Sequence, residues 1–203
     1  FSKKKNVIDF KKVQDYFLDN IETYKIIFVD GYFDPFLSQT SHDGVDICIL
    51  SAALTKPVYS KVISKHFDTS INTNDSLSLV NTAFAKEGVY VHIPKNKILD
   101  KPIEVLHFAT GNEAALMLQP RNLIVVEENA QVEIIETHQS LTENPIFTNS
   151  VTEIFVGQNA HLDYYKIQND RLISSLIDNT YISQEKNSVA KVHTFSFGGK
   201  LTR

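Results

Sequence analysis

Two kinds of hydrophobic pattern divide the chain. From Val89 onward, short β-branched-rich runs follow one another: Val89–Ile93, Ile103–Phe108, Asn122–Glu127, Gln131–Thr137, Ser150–Val156, Leu162–Ile167, Leu176–Ser183 and Ala190–Phe197. No 3.6-residue periodicity survives there, so an all-β region is predicted to begin near residue 88. The first third reads as mixed α and β. Val13, Tyr16, Phe17, Ile21 and Tyr24 recur at spacings of three and four, which places them on one helical face, with Asp9 as N-cap. Lys25–Val29 is a short apolar strand closed by Asp30-Gly31, a pair that tolerates positive φ, and Pro35 blocks any continuation as a central strand. A second strand is predicted over Val45–Leu50, then helices near Tyr59–Phe67 and Asp75–Lys86, with Gly88 as C-cap of the last. The predicted organisation is a mixed α/β N-terminal domain over 1–87 and a second domain over 88–203.

A repeat inside the β region sets the architecture. Asn129-Ala130-Gln131-Val132-Glu133-Ile134 resembles Asn159-Ala160-His161-Leu162-Asp163-Tyr164, and both resemble Asn187-Ser188-Val189-Ala190-Lys191-Val192. Each copy is a turn ending in Asn and a small residue, followed by an alternating strand. Asn tolerates the left-handed backbone of a tight corner, and the small residue admits the neighbouring coil. Strands without helices at a period near 30 residues predict a solenoid, a β-helix in which each coil stacks on the last. In that register Val132, Leu162 and Ala190 share one core column, Ile134, Tyr164 and Val192 another, and Glu133, Asp163 and Lys191 face solvent. A β-sandwich with coincidentally similar turns is the alternative. Nothing after Gly198-Gly199 reads as a cap for an open coil, and the first residue is Phe1, so the sequence is expected to belong to a longer chain.

Composition removes several function classes. The net charge of −4 argues against nucleic acid, and the one basic cluster, Lys3–Lys5 with Lys11 and Lys12, reads as a solvated terminus. Cys48 is the single cysteine, which excludes an internal disulfide or a CxxC knuckle and suggests a reducing, cytoplasmic compartment. Its neighbours Ile47, Ile49 and Leu50 suggest a buried, inert thiol. No apolar run is long enough for a bilayer. Gly199-Lys200 is followed by Leu201, and Thr194 stands where a P-loop needs Gly; GxGxxG, GxSxG and HExxH are absent.

The seven histidines and the acidic residues give no site by spacing. Glu136 and His138 share a strand face, as do His161 and Asp163, and imidazole with carboxylate suits zinc, iron or manganese. The repeat, however, sets His161 level with Gln131 and Glu136 level with Lys166, so the two pairs do not stack and read as surface or turn residues. His193 aligns with Ile135 and Tyr165. His92 and His107 lie in apolar strands and read as satisfied core or edge side chains. Glu127, Glu128, Glu133 and Glu136 are dense enough to suggest a glycosidase or lyase acid pair, with Tyr164 or Tyr165 for stacking, although the chain has no tryptophan. The expectation is no catalytic, cofactor or metal residue in this stretch.

Two longer segments carry a resemblance. Asn81-Thr82-Ala83-Phe84-Ala85-Lys86-Glu87-Gly88-Val89-Tyr90-Val91-His92-Ile93-Pro94-Lys95-Asn96, continued by Lys101-Pro102-Ile103-Glu104-Val105, resembles the entry to the core domain of the SufB/SufD family. Pro120-Arg121-Asn122-Leu123-Ile124-Val125-Val126-Glu127 and the repeats through Phe195-Ser196-Phe197-Gly198-Gly199 continue it. Ile27-Phe28-Val29-Asp30-Gly31-Tyr32-Phe33 through Leu37-Ser38 is similar to the N-terminal domain of the SufD-like members. The resemblance implies an α+β N-terminal domain, a right-handed parallel β-helix truncated at its C-terminal end, and a scaffold role in iron–sulfur cluster assembly rather than an enzyme. It also implies a SufB-like paralogue and a SufC-like ABC ATPase as partners, with a homodimer as another possibility, and a cluster handled by the whole complex with no cofactor in this stretch. A carbohydrate-active β-helix and a purely structural solenoid or cupin-like domain are the competing readings.

Overall fold

The computed structural model describes residues 8–18, 20–39, 44–71, 74–111 and 115–203. The Lys3–Lys5 cluster lies outside them. In chain order the elements are α1 (Phe10–Val13), a 3-10 turn (Gln14–Tyr16), β1 (Tyr24–Val29), β2 (Tyr32–Phe33), β3 (Asp46–Ile49), α2 (Leu50–Thr55), α3 (Pro57–His66) and α4 (Ser76–Phe84). Nine strands follow: β4 (Val89–Ile93), β5 (Ile103–Ala109), β6 (Leu116–Leu118), β7 (Arg121–Val126), β8 (Gln131–Ser140), β9 (Ile146–Val156), β10 (His161–Asn169), β11 (Ser175–Gln184) and β12 (Val189–Ser196). Last comes β13 (Leu201–Thr202).

The strands form two facing sheets, ordered β12-β10-β8-β5-β1-β2 and β13-β11-β9-β7-β4-β3, with β6 beside β9. Successive coils therefore add one strand to each sheet, the signature of a parallel β-helix. Among the described strands, β1–β2 and β3–β4 are the antiparallel pairs, and Lys25 makes an isolated antiparallel bridge to Gln39. β1 and β3 precede residue 88, yet each completes a sheet: β1 lies parallel to β5 and β3 antiparallel to β4.

The Asn corners set the pitch. Asn96, Asn129, Asn159 and Asn187 have φ of 62°, 57°, 57° and 60°. Their side chains join in a ladder, each Nδ2 donating to the preceding Oδ1 at 2.9, 3.0 and 3.3 Å. The resulting register pairs Val132 with Leu162 and Ala190, and Ile134 with Tyr164 and Val192, as the repeat predicts. Val192 keeps 41% exposure because β12 is the outermost strand of its sheet. Asn159→Ala is expected to cost about 1–2 kcal/mol, from left-handed strain plus two exposed hydrogen bonds, and Asn159→Gly less than half of that. Urea unfolding midpoints of the two variants check this order.

The N-terminal elements cover the outer faces. Val13 packs with Ile27, Val29, Leu106 and Phe108 outside the first sheet. Leu50, Ala53 and Ile63 cover Tyr90, Leu123 and Val125 outside the second. Asp9 does cap α1, accepting from the Lys11 N–H at 3.1 Å. The long helix expected through Tyr24 does not form. Tyr24 opens β1, donating its N–H to the Pro102 carbonyl at 2.9 Å, and pairing with the sheet outweighs a short helix that is marginal alone. The second expected strand is shorter than 45–50, since Leu50 already begins α2, and Pro57 sits at the start of α3, where its missing N–H costs nothing. Asp75 caps α4 through Ser78 N–H at 3.0 Å. That helix ends at Phe84 with Ala85 as C-cap, so Gly88 is not its cap. β6, only three residues long, carries too little pattern to be anticipated.

Candidate functional site

Strand parity decides which side chains enter the space between the sheets. On β8 the inward positions are Val132, Ile134, Glu136 and His138; on β10 they are Leu162, Tyr164, Lys166 and Gln168. The inner rows begin apolar, at Ile103, Ile134 and Tyr164, and turn polar from the next inward row, where Glu136 and Lys166 align. The polar part gathers His107, Asn122, Glu136, His138, Thr152, Tyr164, Lys166 and Asp178 in the interior.

Glu136, 1% exposed, is the hub. Its Oε1 accepts from His107 Nε2 at 3.0 Å and from Asn122 Nδ2 at 3.1 Å, and its Oε2 accepts from the Tyr164 hydroxyl. Burial works to raise this carboxyl, but the His107 hydrogen bond and the nearby Lys166 charge outweigh it and hold the group ionised. His138 Nε2 lies 3.7 Å from the same Oε1 and has no hydrogen-bond partner among the described residues. Burial, reinforced by His107, pushes His138 down to about 3, so its ring is neutral. The His107 and His138 rings stack at 4.5 Å with 6° between planes, and Phe28 stacks on His107 at 5.1 Å. Beyond them Lys166 pairs with Asp178 and donates to Thr180 Oγ1 at 2.7 Å. A cavity of about 300 Å³ borders His138, Lys166, Gln168, Asp178 and Thr194.

The structure thus corrects one expectation. Glu136 and His138 are interior residues, not surface or turn residues, because β8 keeps its inward parity through Ser140. His161 and Asp163 remain apart from them, level with Gln131 and Glu133, and Asp163 pairs with Lys191 at 3.2 Å. His107 is the partner that sequence spacing missed. It lies opposite His138. The reason is an insertion: Ile98 pairs with Gln131 but Ile103 with Ile134, so the earlier coil spends two extra residues in the corner. Counting onward from Asn96 and Asn129 would set Val105, not His107, beside His138.

The other candidates disperse. His92 bridges Asp46 at 3.3 Å and Glu127 at 3.1 Å, Glu128 pairs with Lys95 at 3.0 Å, and Glu133 is exposed on the opposite face from Glu136. No acid pair forms from these four residues. Tyr164 is buried and unavailable for stacking on a sugar, while Tyr165 stacks on His193 at 4.9 Å. Cys48 is half-buried beside Tyr90, and burial pushes its thiol up, away from the reactive thiolate.

Two family models match in tandem: the SufBD protein N-terminal region over residues 2–105, and the SufBD core domain of SUF-system FeS cluster assembly over 107–203. The chain belongs to the SufBD family. Among curated SufBD relatives, an iron–sulfur cluster assembly SufBD family protein of Synechocystis is 30% identical over 97% of this chain and 45% of its own length. SufD of Bacillus subtilis is 28% identical over 55% of this chain and 26% of its own, and the chloroplast protein ABCI7 of Arabidopsis thaliana 28% over 68% and 30%. This SufBD chain spans under half the length of these relatives. No helix among its described residues is long and apolar enough to cross a membrane.

Proposed function

We propose that this SufBD chain is the N-terminal portion of a SufD-like scaffold subunit that supports iron–sulfur cluster assembly in the cytoplasm by pairing with a SufB-like paralogue and a SufC-like ABC ATPase. The observation that carries this reading is the consecutive match of both SufBD models, in family order, along one β-helix. Two further features support it. The acidic residues that would serve a carbohydrate-cleaving enzyme point to different faces, and the one cysteine is a half-buried thiol in β3, poorly suited to accept sulfur. A scaffold role requires surfaces and a stable core rather than a reactive cleft.

The test is anaerobic affinity capture of the intact protein from its own cells, with mass spectrometry of what co-purifies. Recovery of a β-helical paralogue together with an ABC-type ATPase, in comparable amounts, is the expected result. Recovery of neither, from cells that express both, would overturn the reading.

A further inference from the structure

We propose that His107, Glu136 and His138 form a binding site for one divalent first-row transition metal ion inside the β-helix. The three side chains come from two hydrogen-bonded strands, β5 and β8, and their ligand atoms all lie within 4.8 Å of one another. The stacked rings turn both Nε2 atoms toward a single carboxylate oxygen, at 3.0 and 3.7 Å. An ion bonded at about 2.0–2.1 Å separates tetrahedral donors by roughly 3.3 Å, so both edges already bracket the coordinated value. Two imidazoles and a carboxylate are the donor set of zinc and ferrous iron alike.

Independent of that geometry is the bare His138 Nε2. It is a buried ring nitrogen, aimed at the carboxylate and without a hydrogen-bond partner among the described residues. Such an atom is rare in a folded interior unless something else satisfies it. The carboxylate is also held as a ligand would be, by Asn122 on Oε1 and the Tyr164 hydroxyl on Oε2. On binding, His107 Nε2 exchanges its hydrogen bond to Glu136 for a bond to the metal, with the ring proton carried on Nδ1.

Among the described residues, Lys166 and Asp178 lie beside the cluster, and Arg203 lines the same cavity as His138. Lys166 is already tied to Asp178 and to Thr180. The cavity beside His138 has room for the waters that would complete the coordination shell.

The inference does not depend on the scaffold reading, because its test needs no partner. The intact protein, stripped with a chelator under anaerobic conditions, is titrated with Co(II) and followed by its visible d–d absorption, then competed with Zn(II) and Fe(II). Protein expressed in metal-supplemented medium is assayed for bound metal in parallel, which covers loading of the interior during folding. One equivalent is expected, with two imidazole nitrogens and no sulfur by X-ray absorption. His138→Gln and His107→Gln should each weaken binding by at least about 100-fold, while His193→Gln, on an exposed position of β12, leaves it unchanged. Absence of metal by both routes, or affinity unaltered in His138→Gln, would reduce the cluster to a stacking ladder and overturn the proposal. If the variants do not fold, the absorption spectrum of the wild type decides: fewer than two imidazoles, or a sulfur ligand, overturns it as well.

Discussion

Glu153→Ala is expected to lower stability by about 3–5 kcal/mol, a loss far larger than its single carboxylate suggests. Glu153 lies on the outer face of β9, buried, and its Oε2 accepts from Arg121 Nη2 at 2.6 Å. The same carboxylate accepts the backbone N–H of Asp68 at 2.9 Å and of Ser70 at 3.0 Å, which pins the segment after α3 onto the sheet. Arg121 is 3% exposed and stacks at 4.9 Å over the Phe67 ring. Burial pushes its guanidinium down, and the Glu153 and Asp68 carboxylates pull it back. Its Nη1 has no partner among the described residues, so removing Glu153 leaves a buried cation held only by Asp68, whose side chain is 49% exposed. The penalty is that of an uncompensated charge, not the worth of the pair.

The corresponding double substitution separates those two quantities. Arg121→Met with Glu153→Leu removes both charges and keeps an apolar side chain over Phe67, so it should cost less than Glu153→Ala alone. The Asp68 and Ser70 N–H groups then turn to water, which reaches the exposed end of that segment. Urea midpoints with unchanged m-values for the three proteins would establish the order. A double variant weaker than Glu153→Ala would show instead that the ion pair adds net stability.

What the sequence disclosed, and what it hid, follows from how each feature is encoded. The β-helix is written locally. Every coil repeats Asn at the one corner that needs φ near 60°, and the strand behind it alternates with period two, so Val132 over Leu162 and Ile134 over Tyr164 can be read without a structure. The interior cluster is written non-locally. It depends on whether the coil containing His107 carries the same number of residues between corner and strand as the coil containing His138, and it carries two more. A shift of two keeps each side chain on its face, so the alternation gives no warning; only the partner changes. The inward parity of Glu136 and His138 was legible, because both continue the Val132 and Ile134 series, but an acidic residue and a histidine near a predicted strand end look like a solvated edge. The tail of β8 to Ser140 and the three-residue β6 fall below what pattern can resolve. The false helix through Tyr24 has the same origin: spacings of three and four were present, but the backbone hydrogen bond to Pro102 and the pairing with Ile103 are tertiary.

Gly88→Ala should be more damaging than any other glycine substitution in the described chain, about 3 kcal/mol or more, and for a reason that a C-cap reading would not give. Gly88 has no left-handed φ to protect. It sits where the chain entering β4 crosses the start of β7, and a Cβ there would overlap the Arg121 carbonyl and lie 2.8 Å from the Arg121 nitrogen, inside the 3.0 Å that real contacts respect. The obstruction is backbone, which cannot swing aside as a side chain would. It is also backbone in use: Arg121 N–H donates to the Glu87 carbonyl at 3.2 Å, and Leu50 N–H donates to the Gly88 carbonyl at 2.8 Å. Making room would therefore separate β4 from β7 and lift α2 from its sheet. Gly44 supplies the opposite case. Its φ is +74° but nothing lies within 4 Å of a Cβ, so Gly44→Ala should cost only about 1 kcal/mol of backbone strain. Gly88→Asn separates the two explanations, since Asn serves well as a C-cap but brings the same Cβ. Equal losses in Gly88→Ala and Gly88→Asn, read from urea midpoints, would assign the requirement to space; a tolerated Asn would show that the start of β7 can yield to a Cβ.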